Sequence, residues 1–243
     1  MVKDTRFWTS GQWFESAWGY CFQKVDEMIV LNLKTYPETI EKSLYFADVA
    51  SEVVEETGVR IIICPPSPYL REAAERFSDV FAQHVDPYPP GAHTGSIPAE
   101  MLKALSVKGS LVNHSEKRIG MENVKKALDM LHSSALESIA CAETPEEAAE
   151  IAQLSPLYVA IEPPELIGSG KSVSKTKPQI ITSTVKKIKD SSSNVGILCG
   201  AGVSSKDDVR KALELGTDGV LLASAFVRAE DPKKFLQDFA SVF

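Results

Sequence analysis

From Met28 onward, short apolar runs rich in β-branched residues alternate with longer stretches patterned like helices, and they do so eight times. The runs are MIVLNL (28–33), RIIIC (60–64), DVFAQ (79–83), GSLVN (109–113), SIACA (138–142), LYVAIE (157–162), VGILCG (195–200) and DGVLLAS (218–224). Several are apolar throughout, as strands covered on both faces are. Eight strands, each followed by a helical segment, predict an α/β protein with one (βα)8 barrel domain over 28–243. A doubly wound open sheet would stop at fewer strands and place a glycine fingerprint after its first one. Here the first strand runs into Lys34-Thr35-Tyr36-Pro37, without glycine.

Helix signals fall between the runs. Thr144-Pro145-Glu146-Glu147 offers an N-cap, a proline at the first helical position and acids in the first turn. Lys177-Pro178 opens another helix, and Ser204 and Ser205 start a third. Glu56-Thr57-Gly58 and Glu214-Leu215-Gly216 read as glycine C-caps. Residues 1–27 lack this patterning. They carry all three tryptophans, Trp8, Trp13 and Trp18, without the apolar core and cleavage site of a signal peptide. They are expected to be an N-terminal extension outside the barrel, dispensable for folding and activity.

A net charge of −7 disfavours nucleic acid as a partner, and an anionic substrate needs a local positive pocket. No apolar run reaches the length of a membrane span. Cys21, Cys64, Cys141 and Cys199 show no metal-like spacing, and three of them sit inside apolar runs. Buried thiols in a reducing cytoplasm are the expectation.

In a barrel, chemistry belongs where strands end and βα loops begin. The first run ends in Asn32-Leu33-Lys34, and alternation puts Asn32 and Lys34 on one face, where the lysine supplies a cation for a phosphate or an oxyanion. The alternative for Lys34 alone is a solvated edge charge. The fourth run ends at Asn113 and leads into His114-Ser115-Glu116; at a helix start this imidazole would stay neutral and donate to a carbonyl. The sixth ends in Glu162, a carboxylate closing an apolar strand. Pro163-Pro164 and Gly168-Ser169-Gly170 flank apolar Leu166 and Ile167, the pattern of a lid. The last two runs end in Gly200-Ala201-Gly202 and Ala223-Ser224-Ala225, small residues that let backbone N–H groups approach a phosphate.

Taken together, NLKTY (32–36), FAQHVDPYPPGAHTG (81–95), LVNHSEKR (111–118), AIEPPELIGSG (160–170), VSKTKP (173–178), CGAGVSS (199–205) and GVLLAS (219–224) resemble the triosephosphate isomerase family, in its shorter archaeal branch. The resemblance implies a TIM barrel that interconverts D-glyceraldehyde 3-phosphate and dihydroxyacetone phosphate through an enediolate, in glycolysis and gluconeogenesis, with no cofactor and no metal. It implies Glu162 as base, His114 as neutral electrophile, and Lys34 with Asn32 as holders of substrate and enediolate. Glu116 resembles the acid beside the catalytic lysine. Ile167, Gly168, Gly202, Ala223 and Ser224 resemble the phosphate grip. The loop at 83–97 resembles the family's subunit contact, implying a homodimer or homotetramer. Two departures stand out: the extension at 1–27, and Ala225 where the family usually has glycine, which would be strained at a positive φ.

Two rivals are weighed against this reading. A metal-dependent sugar-phosphate epimerase on the same barrel would need several His or acidic ligands at strand ends, whereas His84, His93 and His132 read as surface or interface residues. A barrel kept only as a binding module would not need Asn32, Lys34, His114 and Glu162 together.

Overall fold

The computed structural model describes residues 26–164, 172–191 and 194–243, together with two short backbone segments at 14–15 and 21–22. Those two, Phe14–Glu15 and Cys21–Phe22, pair antiparallel. Among the described residues a second sheet holds eight strands: β1 (Met28–Asn32), β2 (Arg60–Cys64), β3 (Phe81–Ala82), β4 (Gly109–Val112), β5 (Glu137–Ala142), β6 (Tyr158–Ile161), β7 (Gly196–Cys199) and β8 (Gly219–Leu222). Their order is β2-β1-β8-β7-β6-β5-β4-β3, every pairing parallel. A parallel bridge from Ile63 to Val80 joins β2 to β3 and closes the ring. The expected eight runs are the eight strands, most of them trimmed at their ends; β2 keeps its expected span and β5 begins one residue earlier, at Glu137. β3 keeps only two residues plus that bridge.

Strand alternation sorts the core into two layers. Met28, Val30, Ile62, Cys64, Phe81, Leu111, Ile139, Cys141, Tyr158, Ala160, Leu198 and Leu221 fill the barrel. Their neighbours, Ile29, Leu31, Ile61, Ile63, Ala140, Val159, Ile197 and Val220 among them, face the helices. Both faces are therefore apolar, which explains the unbroken apolar runs. At the N-terminal end of the barrel Arg60 pairs with Asp79 (3.0 Å) and Glu137 (2.7 Å). There the Tyr158 hydroxyl donates to Asp26 O (3.0 Å) and accepts from Asp26 N–H (3.1 Å).

The helices are α1 (Pro37–Thr57), α2 (Leu70–Arg76), α3 (Ala99–Ala104), α4 (Met121–Ser133), α5 (Pro145–Ala152), α6 (Val173–Thr176), α7 (Pro178–Ser191), α8 (Lys206–Glu214), α9 (Ser224–Val227) and α10 (Pro232–Ala240). The caps act as their chemistry requires. Thr144 accepts from Glu147 N–H ahead of α5, and Ser205 with Asp208 forms a reciprocal capping box on α8. Gly58 ends α1 at φ +73, while α8 ends at Leu215 with Gly216 one position further on at φ +93. Among the described residues no helix is long and apolar enough to cross a membrane.

Candidate active site

The inward parity of β1 runs to its last residue. Asn32 follows Met28 and Val30 on the barrel face and is buried. Its Oδ1 accepts the Lys34 N–H at 3.0 Å. Lys34 itself takes a left-handed backbone, φ +49, a conformation uncommon for a residue with a side chain. From there its ammonium reaches Glu116 Oε1 at 2.7 Å. The lysine side chain is 13% exposed and the glutamate 58%, so the lysine is the enclosed member of the pair.

After β4, Asn113 is also left-handed, at φ +61. Its Oδ1 accepts Ile119 N–H (3.1 Å) and its Nδ2 donates to Cys141 O (3.1 Å), which closes the segment carrying His114. His114 is buried, and the Glu116 N–H donates to its Nδ1 at 3.2 Å. A nitrogen that accepts carries no proton, so this hydrogen-bond network places the ring hydrogen of a neutral imidazole on Nε2. The expected helical turn is a single one, closed by Lys117 N–H to His114 O at 2.7 Å, and α4 begins only at Met121.

Glu162 directly follows β6, and its N–H to Ala142 O (2.8 Å) extends the ladder. The side chain is 2% exposed. Its Oε1 lies 3.4 Å from His114 Nε2, while Oε2 has no hydrogen-bond partner among the described residues. Beside it, the Cys141 thiol is pushed far up, first by burial and then by the charge of Glu162. Burial also raises Cys64, and lifts Cys199 to about 12. These three are the expected buried thiols; the side chain of Cys21 lies outside the described residues.

The carboxylate, imidazole and ammonium line one cleft of about 540 Å³, counting its open mouth. Its far wall is Gly202, Val203, Ser204 and Ala223 to Ala225. Gly202 sits at φ +68, where a side chain would strain the turn. Ala225 lies within α9 and has no positive φ, so its methyl brings no backbone strain. Of the expected lid after Glu162, residues 165–170, Ile167 and Gly168 among them, lie outside the described residues.

Tyr36 lines the cleft, although it stood in its motif without a role, and so does Ser204, read only as a helix start. Gly200, read as one of the small residues near a phosphate, has a steric role as well: a Cβ there would lie 2.6 Å from Glu162 Cγ. The histidines also need a correction. His93 is exposed as expected, but His84 is buried and meets Asp86 Oδ1 at 3.1 Å, because the chain folds back where Asp86 binds Ile97 N–H (2.7 Å). Among the described residues, no three His, Cys, Asp or Glu side chains converge in a way that could hold a metal.

Fold and cleft together define a TIM-barrel enzyme, with its polar groups gathered at the C-terminal ends of the strands. A family model described as triosephosphate isomerase matches residues 27–241. A triosephosphate isomerase of Methanothermus fervidus is 49% identical over 213 residues, which is 87% of this chain and 96% of that protein. That of Methanobacterium bryantii is 44% identical over 220 residues, 90% of this chain and 97% of its own. That of Methanocaldococcus jannaschii is 42% identical over 213 residues, covering 87% and 97%. The chain belongs to the triosephosphate isomerase family and is an isomerase.

Proposed function

We propose that the chain interconverts D-glyceraldehyde 3-phosphate and dihydroxyacetone phosphate, the step shared by glycolysis and gluconeogenesis, and that Glu162, His114, Lys34 and Asn32 carry it. The observation behind this reading is the Glu162–His114 approach of 3.4 Å in a cleft that Lys34 also lines. Triosephosphate isomerases are a standard worked example of this division of labour between a carboxylate and a neutral imidazole.

The Glu162 carboxylate takes the proton from the carbon next to the carbonyl. The C–H electron pair becomes the new C=C bond and the carbonyl π pair moves onto oxygen. His114 Nε2–H hydrogen-bonds to that oxygen and passes protons between the two oxygens, while the Lys34 ammonium offsets the developing charge. Glu162 then returns its proton to the neighbouring carbon. Oε2, buried and without a hydrogen-bond partner among the described residues, suits this role, since an acceptor already occupied by a donor is a weaker base. Asn32 fixes the lysine's backbone. Gly202, Ala223 and Ser224 offer backbone N–H groups to the phosphate, and the family resemblance adds Ile167 and Gly168 to that grip. In this reading lysine and histidine supply the electrophile, so no metal or cofactor is required.

The same reading takes the protein to be a cytoplasmic homodimer or homotetramer. The loop after β3 supports the assembly: its root is pinned by Asp86 and Ile97, and residues 88–95 are exposed, with Tyr88 stacked on His93 at 4.7 Å. The test is a coupled assay of glyceraldehyde 3-phosphate conversion by the purified chain. Robust turnover without added metal is expected. No turnover by the folded protein refutes the proposal.

A further inference from the structure

We infer that Gln83 is a positioning residue for Lys34: its side-chain amide holds the left-handed backbone from which the lysine reaches the cleft. The inference rests on the isomerase reading above and deepens it.

Gln83 is the residue after β3, a strand of two residues. Its Nε2 donates to Lys34 O at 3.0 Å and to Cys64 O at 2.9 Å. The two hydrogens of one planar amide thus tie the β1 loop to the end of β2. Cys64 O already accepts Leu33 N–H (3.1 Å), so it is a fixed anchor. Around residue 34 the N–H is held by Asn32 Oδ1 and the carbonyl by Gln83. A left-handed non-glycine backbone persists only where its surroundings over-determine it, and these two side chains supply that constraint. The lysine's own ion pair cannot, because Glu116 is largely exposed and such pairs hold geometry weakly. With the Gln83 donor removed, the peptide after Lys34 is free to rotate toward commoner backbone angles. The ammonium then swings away from the place where charge develops.

The test uses Gln83→Met, which keeps length and volume without a donor, made in the wild-type and in the Lys34→Ala backgrounds. In the wild-type background kcat/KM should fall by about 10- to 100-fold, since roughly 1 Å of misplacement has that effect. The loss should combine lower kcat with higher KM, as expected for a weakened Lys34. In the Lys34→Ala background the same change should alter kcat/KM by less than about twofold, because a residue acting through Lys34 has nothing left to position. An equal loss in both backgrounds, or no loss in the first, overturns the inference. Backbone chemical shifts of Lys34 report its φ independently of turnover. They must move in Gln83→Met even if the wild-type chain proves inactive on triose phosphates, and unchanged shifts refute the role of Gln83 alone.

Discussion

Replacing Gly200 by alanine tests the placement of Glu162 without touching its chemistry. Gly200 is not among the left-handed residues, so alanine meets no backbone penalty there. The penalty is contact. The new Cβ would lie 2.6 Å from Glu162 Cγ, 3.2 Å from Ile161 O and 3.3 Å from Glu162 Oε1. Non-bonded carbons settle at about 3.5–4.0 Å, so the carboxylate side chain must retreat by about 1 Å or more. The backbone cannot open to absorb this, because Gly200 N–H is bonded to Ile161 O at 3.0 Å in the barrel ladder. A shift of about 1 Å at a reacting group costs on the order of 100-fold in rate. Overpacking of this kind destabilises by about 1–3 kcal/mol, or roughly 2–12 °C in Tm for a domain of this size. The measurement is kcat for glyceraldehyde 3-phosphate conversion, made well below the measured Tm of the variant. A folded Gly200→Ala protein with kcat within about threefold of wild type would refute the argument that Gly200 sets the position of the base.

Three further outcomes are expected. Glu162→Gln should lower kcat by about 10²–10⁴ or more, and Glu162→Asp by a smaller but large factor, with Tm held or raised; near-normal turnover of the glutamine variant removes Glu162 from the mechanism. A chain beginning at Asp26 should match full-length turnover and Tm. One beginning at Met28 should keep turnover but melt about 2–6 °C lower, because both bonds between the Tyr158 hydroxyl and Asp26 are lost; failure of the Asp26 chain to fold would show that the preceding segment belongs to the core. Burial holds the His84 and His132 pKa values below the usual range, opposed at His84 by Asp86 and at His132 by Asp129, so the unfolded chain takes up these protons first. Their stabilising contribution is full above about pH 6.5 and is lost as pH falls below it. Glu137 and Asp218, raised by burial, act in the opposite direction as pH falls. The decisive comparison is therefore the slope of Tm between pH 7 and 5, which should be shallower in His84→Gln/His132→Gln than in wild type; equal slopes would contradict it.

Much of this protein is written locally. Both-sided burial demands apolar runs, and eight such runs separated by capped helices leave few architectures besides a closed barrel. Thr144 and Ser205 cap helices for reasons confined to one turn. Alternation of two residues carries Asn32 and Glu162 onto the inward face, each in step with the barrel-filling residues before it. The family could be read from such segments because they are short, contiguous and in order.

What tertiary structure alone decided lies where distant strands meet. Glu116 reaches Lys34 across 82 positions, and the amide of Gln83 reaches it across 49. The left-handed backbone of Lys34 has no local signature, and the Gln83 amide that holds its carbonyl arrives only when the ring closes; asparagine at 113 favours that conformation by itself, but the Cys141 carbonyl its amide donates to comes from the next strand. The requirement for glycine at 200 is likewise invisible until Glu162 occupies the space beside it. His84 reads as a surface residue because its burial depends on the chain folding back to Ile97. Periodicity and capping act within a turn or a strand, so sequence determines them. The convergence of a carboxylate, an imidazole and an ammonium on one cleft depends on the closure of eight strands, which only the assembled barrel supplies.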